Sequence, residues 1–133
     1  MSWQTTVRKT YTDTLILRLA VVIVFLTHSF HGIFTNNDVY DFGRLFLNQK
    51  GFAPFGVFIA WSTVMFQIVS SILILINLYA KIAAAVNIFI LIMGIALVHF
   101  KEGWFVVGAG RNGMEFSVLL IFVLVAIMLQ QRV

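Results

Sequence analysis

Four apolar stretches, the last of them short, are read as helices that cross a bilayer, and that decides the fold class first. One stretch runs from about residue 15 to 34, LILRLAVVIVFLTHSFHGIF, with Arg18 as its single Lys or Arg. The others cover about 54–76, 82–100 and 114–129. A hydrocarbon layer about 30 Å thick takes about 20 helical residues, so each run is read as a transmembrane helix. Composition agrees. Of 133 residues, 61% are hydrophobic and 11% charged, a balance that leaves a soluble domain of this length unable to cover its apolar surface. The expectation is a single domain over 1–133, all-α: an integral membrane antiparallel four-helix bundle embedded in the lipid bilayer.

Several function classes fall away. The net charge of +4 comes from basic residues scattered singly, with no stripe to follow a phosphate backbone, so no nucleic-acid partner is read. The chain has no cysteine, which removes disulfides, thiolate nucleophiles, iron–sulfur ligation and dithiol-based quinone reduction. Arg8 and Lys9 ahead of an apolar run imitate a signal peptide. That run is too long and lacks a small-x-small cleavage site, so it is read as an uncleaved first span.

The connections carry the rest of the architecture. Asp13 or Thr14 suits the N-cap of the first span, and Arg18 in its first turn can snorkel back to the headgroups. Between spans one and two, Val39, Phe42, Leu45 and Phe46 recur at helical spacing. They predict a short amphipathic interfacial helix, capped by Asp38 and closed by Gly51. Pro54 suits the first turn of span two. Thr63, Gln67, Ser70 and Ser71 then form one polar stripe that should face other helices. Residues 77–81 make a tight turn, so spans two and three are antiparallel neighbours.

Four spans put both termini on one side. Arg8, Lys9, Arg18, Lys81 and Arg132 fall on the terminal side, and Arg44, Lys50, Lys101 and Arg111 on the other. This balance favours a multi-pass protein of the inner membrane with cytoplasmic termini. Tyr11 and Tyr79 would sit at the inner interface and Trp104 at the outer one.

Antiparallel order carries His28, His31 and His99 to the outer ends of spans one and three, and Arg111 and Glu115 to the outer start of span four. Gln67 lies deeper. His28 is about 9 Å below Phe34 along the helix. Ionisable groups at such depth are costly and face the bundle interior, partners or a site. Each candidate also has a plain structural role. Asn112-x-x-Glu115 fits a capping box; Arg111 fits lipid phosphates or Glu115 itself; His99 fits a helix-end cap. The Thr63–Ser71 stripe fits helix–helix adhesion, and Trp104 fits an interfacial belt.

The chain resembles the DoxX family of small four-span membrane proteins. The resemblance rests on Arg18 opening span one, FLTHSFHGIF at its end, the run FQIVSSILILINLYAKIAAA, and the loop VHFKEGWFVVGAGRNGMEFSVLL with Glu115 followed by an aromatic residue. Gln67 stands where family members often carry a glutamate. The family includes the small subunits of a thiosulfate:quinone oxidoreductase, so the resemblance implies a membrane redox or accessory role beside other membrane protein subunits.

One reading is therefore a quinone-linked redox subunit or accessory, with quinone as the candidate cofactor. Proton exchange with a quinone needs a titratable group beside an apolar slot, and His99 and Glu115 are the candidate catalytic pair. His28, His31, Gln67, Trp104 and Arg111 are candidate ligand-binding residues. In this arrangement His28, His99 and Glu115 line one pocket, with Arg111 at its rim and Gln67 at its floor. A structural subunit without chemistry is the second reading. A haem- or metal-binding protein is the third, although no metal motif is present and no metal ligands are assigned.

Overall fold

The computed structural model describes Ser2, Gln4, residues 11–106, Gly108 and residues 110–130. Arg8, Lys9 and Arg132, which enter the charge balance above, lie outside the described residues. Within them the fold is all-α. Helix α1 spans Leu15–Phe34. Helix α2, Asp38–Asp41, continues through a π-helical turn, Phe42–Leu47, and a 3₁₀ turn, Asn48–Lys50. Helix α3 spans Gly56–Leu75 and α4 Ala80–Gly94. The latter runs on through a π-helical turn, Ile95–His99, and a 3₁₀ turn, Phe100–Glu102. Helix α5 spans Glu115–Gln130.

Three of these helices are long and apolar enough to cross a membrane: α1, α3 and α4 with its extension to Glu102. Helix α5 is equally apolar but shorter. Each packs chiefly on its neighbour in the chain, α1 on α3, α3 on α4 and α4 on α5. The contact between α1 and α5 is sparser. Side-chain bonds show the antiparallel order directly. Tyr11, just before α1, donates its hydroxyl proton to the carbonyl of Leu75 at the end of α3, at 2.7 Å. Asn87 of α4 donates to Ser70 Oγ of α3 at 2.5 Å.

The main core lies toward the terminal end. Val21, Val22, Phe25, Ile74, Ala83, Ala84, Leu124 and Ile127 are all nearly or fully buried there. Small residues on α4, Ala83 and Ala84, let the helices approach closely, which is what drives packing where lipid removes the hydrophobic incentive. A smaller cluster of Val39, Leu47 and Ala60 fastens the α2 segment to α3. Its tightest point is backbone on backbone. A Cβ added at Gly43 would meet Val57 Cα at 2.5 Å, and one at Gly56 would collide with the Gly43 carbonyl. Glycine at both positions is what allows the contact.

Several local expectations change. Arg18 does not snorkel outward: it is fully buried. Its Nε donates to Thr14 Oγ1 at 2.8 Å and its Nη1 to the Ile74 carbonyl at 2.8 Å. Thr14 holds the N-cap position of α1 but makes no side-chain cap bond to the backbone; its hydroxyl is engaged by Arg18. Tyr11 is tied to Leu75 rather than serving only as an interfacial ring. The N-cap of α2 is Asn37, in a left-handed conformation, and Asp38 is the first helical residue. Helix α3 starts at Gly56 instead of Pro54, because Asn48 of the preceding segment reaches over. Its Oδ1 accepts the Gly56 N–H at 2.9 Å, capping the helix from outside.

Candidate functional site

At the loop end of the bundle the chain leaves α4 at Glu102 and returns to α5 at Glu115. The two ends of this connection lie side by side: Met114 N–H donates to the Gly103 carbonyl and Glu115 N–H to the Trp104 carbonyl, both at 3.0 Å. The two limbs approach so closely that a Cβ at Gly113 would overlap the backbone of Trp104 and Phe105.

Two of the candidate residues hold this loop. His99 Nδ1 lies 2.7 Å from the carbonyl oxygen of Asn112. A carbonyl only accepts, so Nδ1 carries the proton. In the neutral ring Nε2 is then the acceptor, and it is the nitrogen through which His99 can take up or release a proton. Glu115 reaches across the loop. Its Oε1 accepts the Val106 N–H at 2.7 Å. The carboxylate thus organises loop backbone while sitting half-buried at the start of α5. Trp104 is exposed, and its carbonyl receives the Glu115 N–H. Arg111 is exposed on the same loop.

A second polar group lies deeper, between α1, α3 and α4. Ser29 Oγ donates to Gln67 Oε1 at 2.8 Å, and both side chains are buried. The Gln67 carbonyl accepts from Ser71 Oγ at 2.6 Å and from Ser70 Oγ at 3.2 Å. Asn87 Nδ2 adds the bond to Ser70 and another to its own helix at Ala83, at 3.0 Å. The stripe on α3 therefore faces inward at Gln67, Ser70 and Ser71. Thr63 is half-buried and turns its hydroxyl back to the Ile59 carbonyl at 2.9 Å. Asn87 Oδ1 is buried with no hydrogen-bond partner among the described residues.

The histidines of α1 stand apart from both groups. His28 is exposed next to buried Ser29, and it makes no hydrogen bond among the described residues. His31 is exposed and pairs with Thr35 Oγ1 at 3.4 Å. Among the described residues no hydrogen bond joins His28 or His31 to His99, and no three His, Asp or Glu side chains gather as metal ligands.

Two residues outside the original candidates matter here. Ser29 stands between His28 and His31 and carries no signal of its own; only its partner Gln67 reveals it. Asn87 was legible as a small polar residue at a helix contact, but its unmet oxygen is a property of the packed bundle.

The family model for DoxX matches residues 14–100, well over half of the chain. No curated protein and no solved structure matches. The matched segment holds α1, the α2 segment, α3 and α4, hence Arg18, His28, His31, Gln67 and His99, while Trp104, Arg111 and Glu115 fall beyond it. With the arrangement of apolar helices described above, this makes the chain a membrane protein of the DoxX family.

Proposed function

We propose that this protein is a quinone-linked redox subunit or accessory of a larger complex, with its site at the loop end of the bundle. The observation that carries the reading is the bond from His99 Nδ1 to the Asn112 carbonyl. It orients the imidazole and leaves Nε2 as the proton-exchanging atom, at the end of a membrane helix among apolar side chains. A quinone head group supplies carbonyl oxygens that take up protons as electrons arrive. His99 would pass a proton to or from such an oxygen, and Glu115 would hold the loop that covers it. Gln67 is the floor residue in this reading, Arg111 and Trp104 the rim. His31, exposed on α1, is a further ligand-binding candidate in this reading. In this reading a partner protein supplies the electrons.

The exposure of His28 supports a partner subunit. An ionisable side chain on the surface of a span, with no bond among the described residues, is costly toward lipid, and a polar group on another protein would meet it. A non-catalytic structural subunit would share this surface, so the decisive experiment concerns the ligand. The protein is purified, its bound lipophiles are extracted and its absorption spectrum is recorded. The expected result is a co-purifying quinone that is lost in His99→Ala. A Soret band replaces this reading with the haem one, and neither signal leaves the structural subunit. We place the protein in the inner membrane with cytoplasmic termini; cysteines introduced at Tyr40 and Tyr79 should be labelled from opposite sides, with Tyr79 inside.

A further inference from the structure

The outer end of α4 is wound more loosely than the rest. From Ile95 to His99 it is π-helical, and the wider turn changes where His99 points. In an α-helix the fifth residue onward faces about 140° away from the first. Here the imidazole lies back beside Gly94. A Cβ built at Gly94 would meet His99 Cδ2 at 3.9 Å and, among the described residues, no other atom within 4 Å beyond its own stretch of helix. Cδ2 is bonded to Nε2, so the proton-exchanging edge of the ring flanks an open place on α4.

That place lies on the inward side of the helix. Asn87, two turns before Gly94 on the same face, is fully buried and bonded to Ser70 of α3. Leu97, just beyond Gly94, packs against the cluster that holds Ala60 of α3. The antiparallel register between these two contacts sets Gly94 at the level of Thr63. Gln67 is one turn deeper on the same stripe, about 6 Å along the axis. Its Oε1 accepts from Ser29, while its Nε2 makes no hydrogen bond among the described residues.

We propose that the open place at Gly94 seats the ring of a quinol between His99 Nε2 and Gln67 Nε2. The inference rests on the quinone reading and adds where, and in which redox form, the ring is held. With its proton on Nδ1, the neutral imidazole offers Nε2 only as an acceptor. It takes a hydroxyl hydrogen, which the reduced quinol has and the oxidised quinone lacks. The opposite oxygen of the ring meets the amide donors of Gln67. Glycine lets a flat ring approach the helix backbone closely. Thr63, whose hydroxyl is engaged by the Ile59 carbonyl, supplies a wall without a competing donor. π-turns of this kind recur at functional sites. Gly94 is thus the residue that determines whether a ring fits.

The full chain in detergent is titrated under nitrogen with decylubiquinol and, separately, with decylubiquinone, and bound ligand is extracted and quantified. Wild-type protein should bind the quinol more tightly. Gly94→Leu should weaken that binding about tenfold or more, whereas Gly94→Ala, whose Cβ stands at ordinary contact distance, should stay within about twofold. Gly94→Leu should unfold at the wild-type temperature or above, since leucine fills open space and favours the helix. Amide exchange in residues 103–113 should also match wild type, because the bond from His99 to Asn112 is kept. Unchanged quinol binding in Gly94→Leu, with binding lost in His99→Ala, overturns the seat and leaves the quinone reading standing. A lowered midpoint or faster loop exchange in Gly94→Leu shows that leucine displaces protein instead of ligand, and overturns it too. Tighter binding of the oxidised form overturns the hydrogen-bond assignment, and no binding of either form by wild-type protein overturns seat and quinone reading together.

Discussion

The two ends of the bundle treat their polar groups in opposite ways. At the terminal end, Arg18, Thr14 and Tyr11 are spent on structure. The guanidinium is fully buried and the Tyr11 ring lies 5.2 Å from its carbon. Together Arg18 and Tyr11 donate to the last carbonyls of α3, at Ile74 and Leu75. A positive charge on a helix C-terminus meets both its orphan acceptors and its dipole. At the loop end the ionisable groups are half-buried or exposed, each makes few bonds, and the bonds they make hold a loop. The second half of α4 and its extension, from Ile88 to Glu102, contains no fully buried side chain, whereas Ala80, Ala83, Ala84 and Asn87 in the first half are all buried. One end is locked by its charges; the other keeps them accessible.

If that contrast is real, the largest effect comes from the locked end. Arg18→Leu removes two charge-assisted bonds and strands the Ile74 carbonyl, so it should destabilise the fold by about 3 kcal/mol or more. Thermal unfolding in detergent measures this. A wild-type midpoint would mean that Arg18 is not the lock. The middle layer comes next. Gln67→Leu leaves buried Ser29 without its acceptor and should cost about 1 kcal/mol. Phe58→Leu, at a position that is 71% exposed, should stay within about 0.5 kcal/mol. Equal losses would erase the distinction between inward and lipid-facing sides of α3.

At the loop end, stability and function should separate. His99→Ala gives up one bond at a half-buried site, about 0.5–1 kcal/mol, and should speed amide exchange in residues 103–113. Glu115→Gln keeps a carbonyl oxygen for the Val106 N–H and should leave the fold within about 0.5 kcal/mol of wild type. Both should abolish the activity of the complex that contains the chain, with the protein still in the membrane. Full activity in both would reduce His99 and Glu115 to loop anchors. The smallest expected effect is electrostatic. Lys101 lowers the folded-state pKa of Lys50, so in the window just below the usual lysine value the unfolded chain binds more protons than the folded one. Stability should therefore rise slightly as pH climbs through that window. Lys101→Gln should remove the rise; an unchanged pH profile in Lys101→Gln would mean that Lys101 does not act on Lys50.

What the amino-acid sequence determined by itself was set by local rules. Apolar run length dictates membrane helices, because a bilayer imposes a fixed thickness on any backbone that crosses it. The helical spacing of Val39, Phe42, Leu45 and Phe46 marks the extra helix, and the α3 stripe is inward-facing at Gln67, Ser70 and Ser71 because polar groups avoid lipid. The family was legible as a resemblance, and the DoxX model covers residues 14–100, short of the loop and Glu115. The destinations of individual polar atoms were not. Arg18 was as well placed to snorkel to headgroups as to turn inward, and only the nearness of the Ile74 and Leu75 carbonyls decides it. Glu115 has a local partner in the capping-box pattern, and the backbone of residues 103–106, folded back beside α5, adds the Val106 N–H, which no local pattern announces. Asn48 capping Gly56 and the glycine contact at Gly43 both join residues from different elements. Such bonds depend on where a packed bundle puts its loops, and no periodicity within a single segment carries that information.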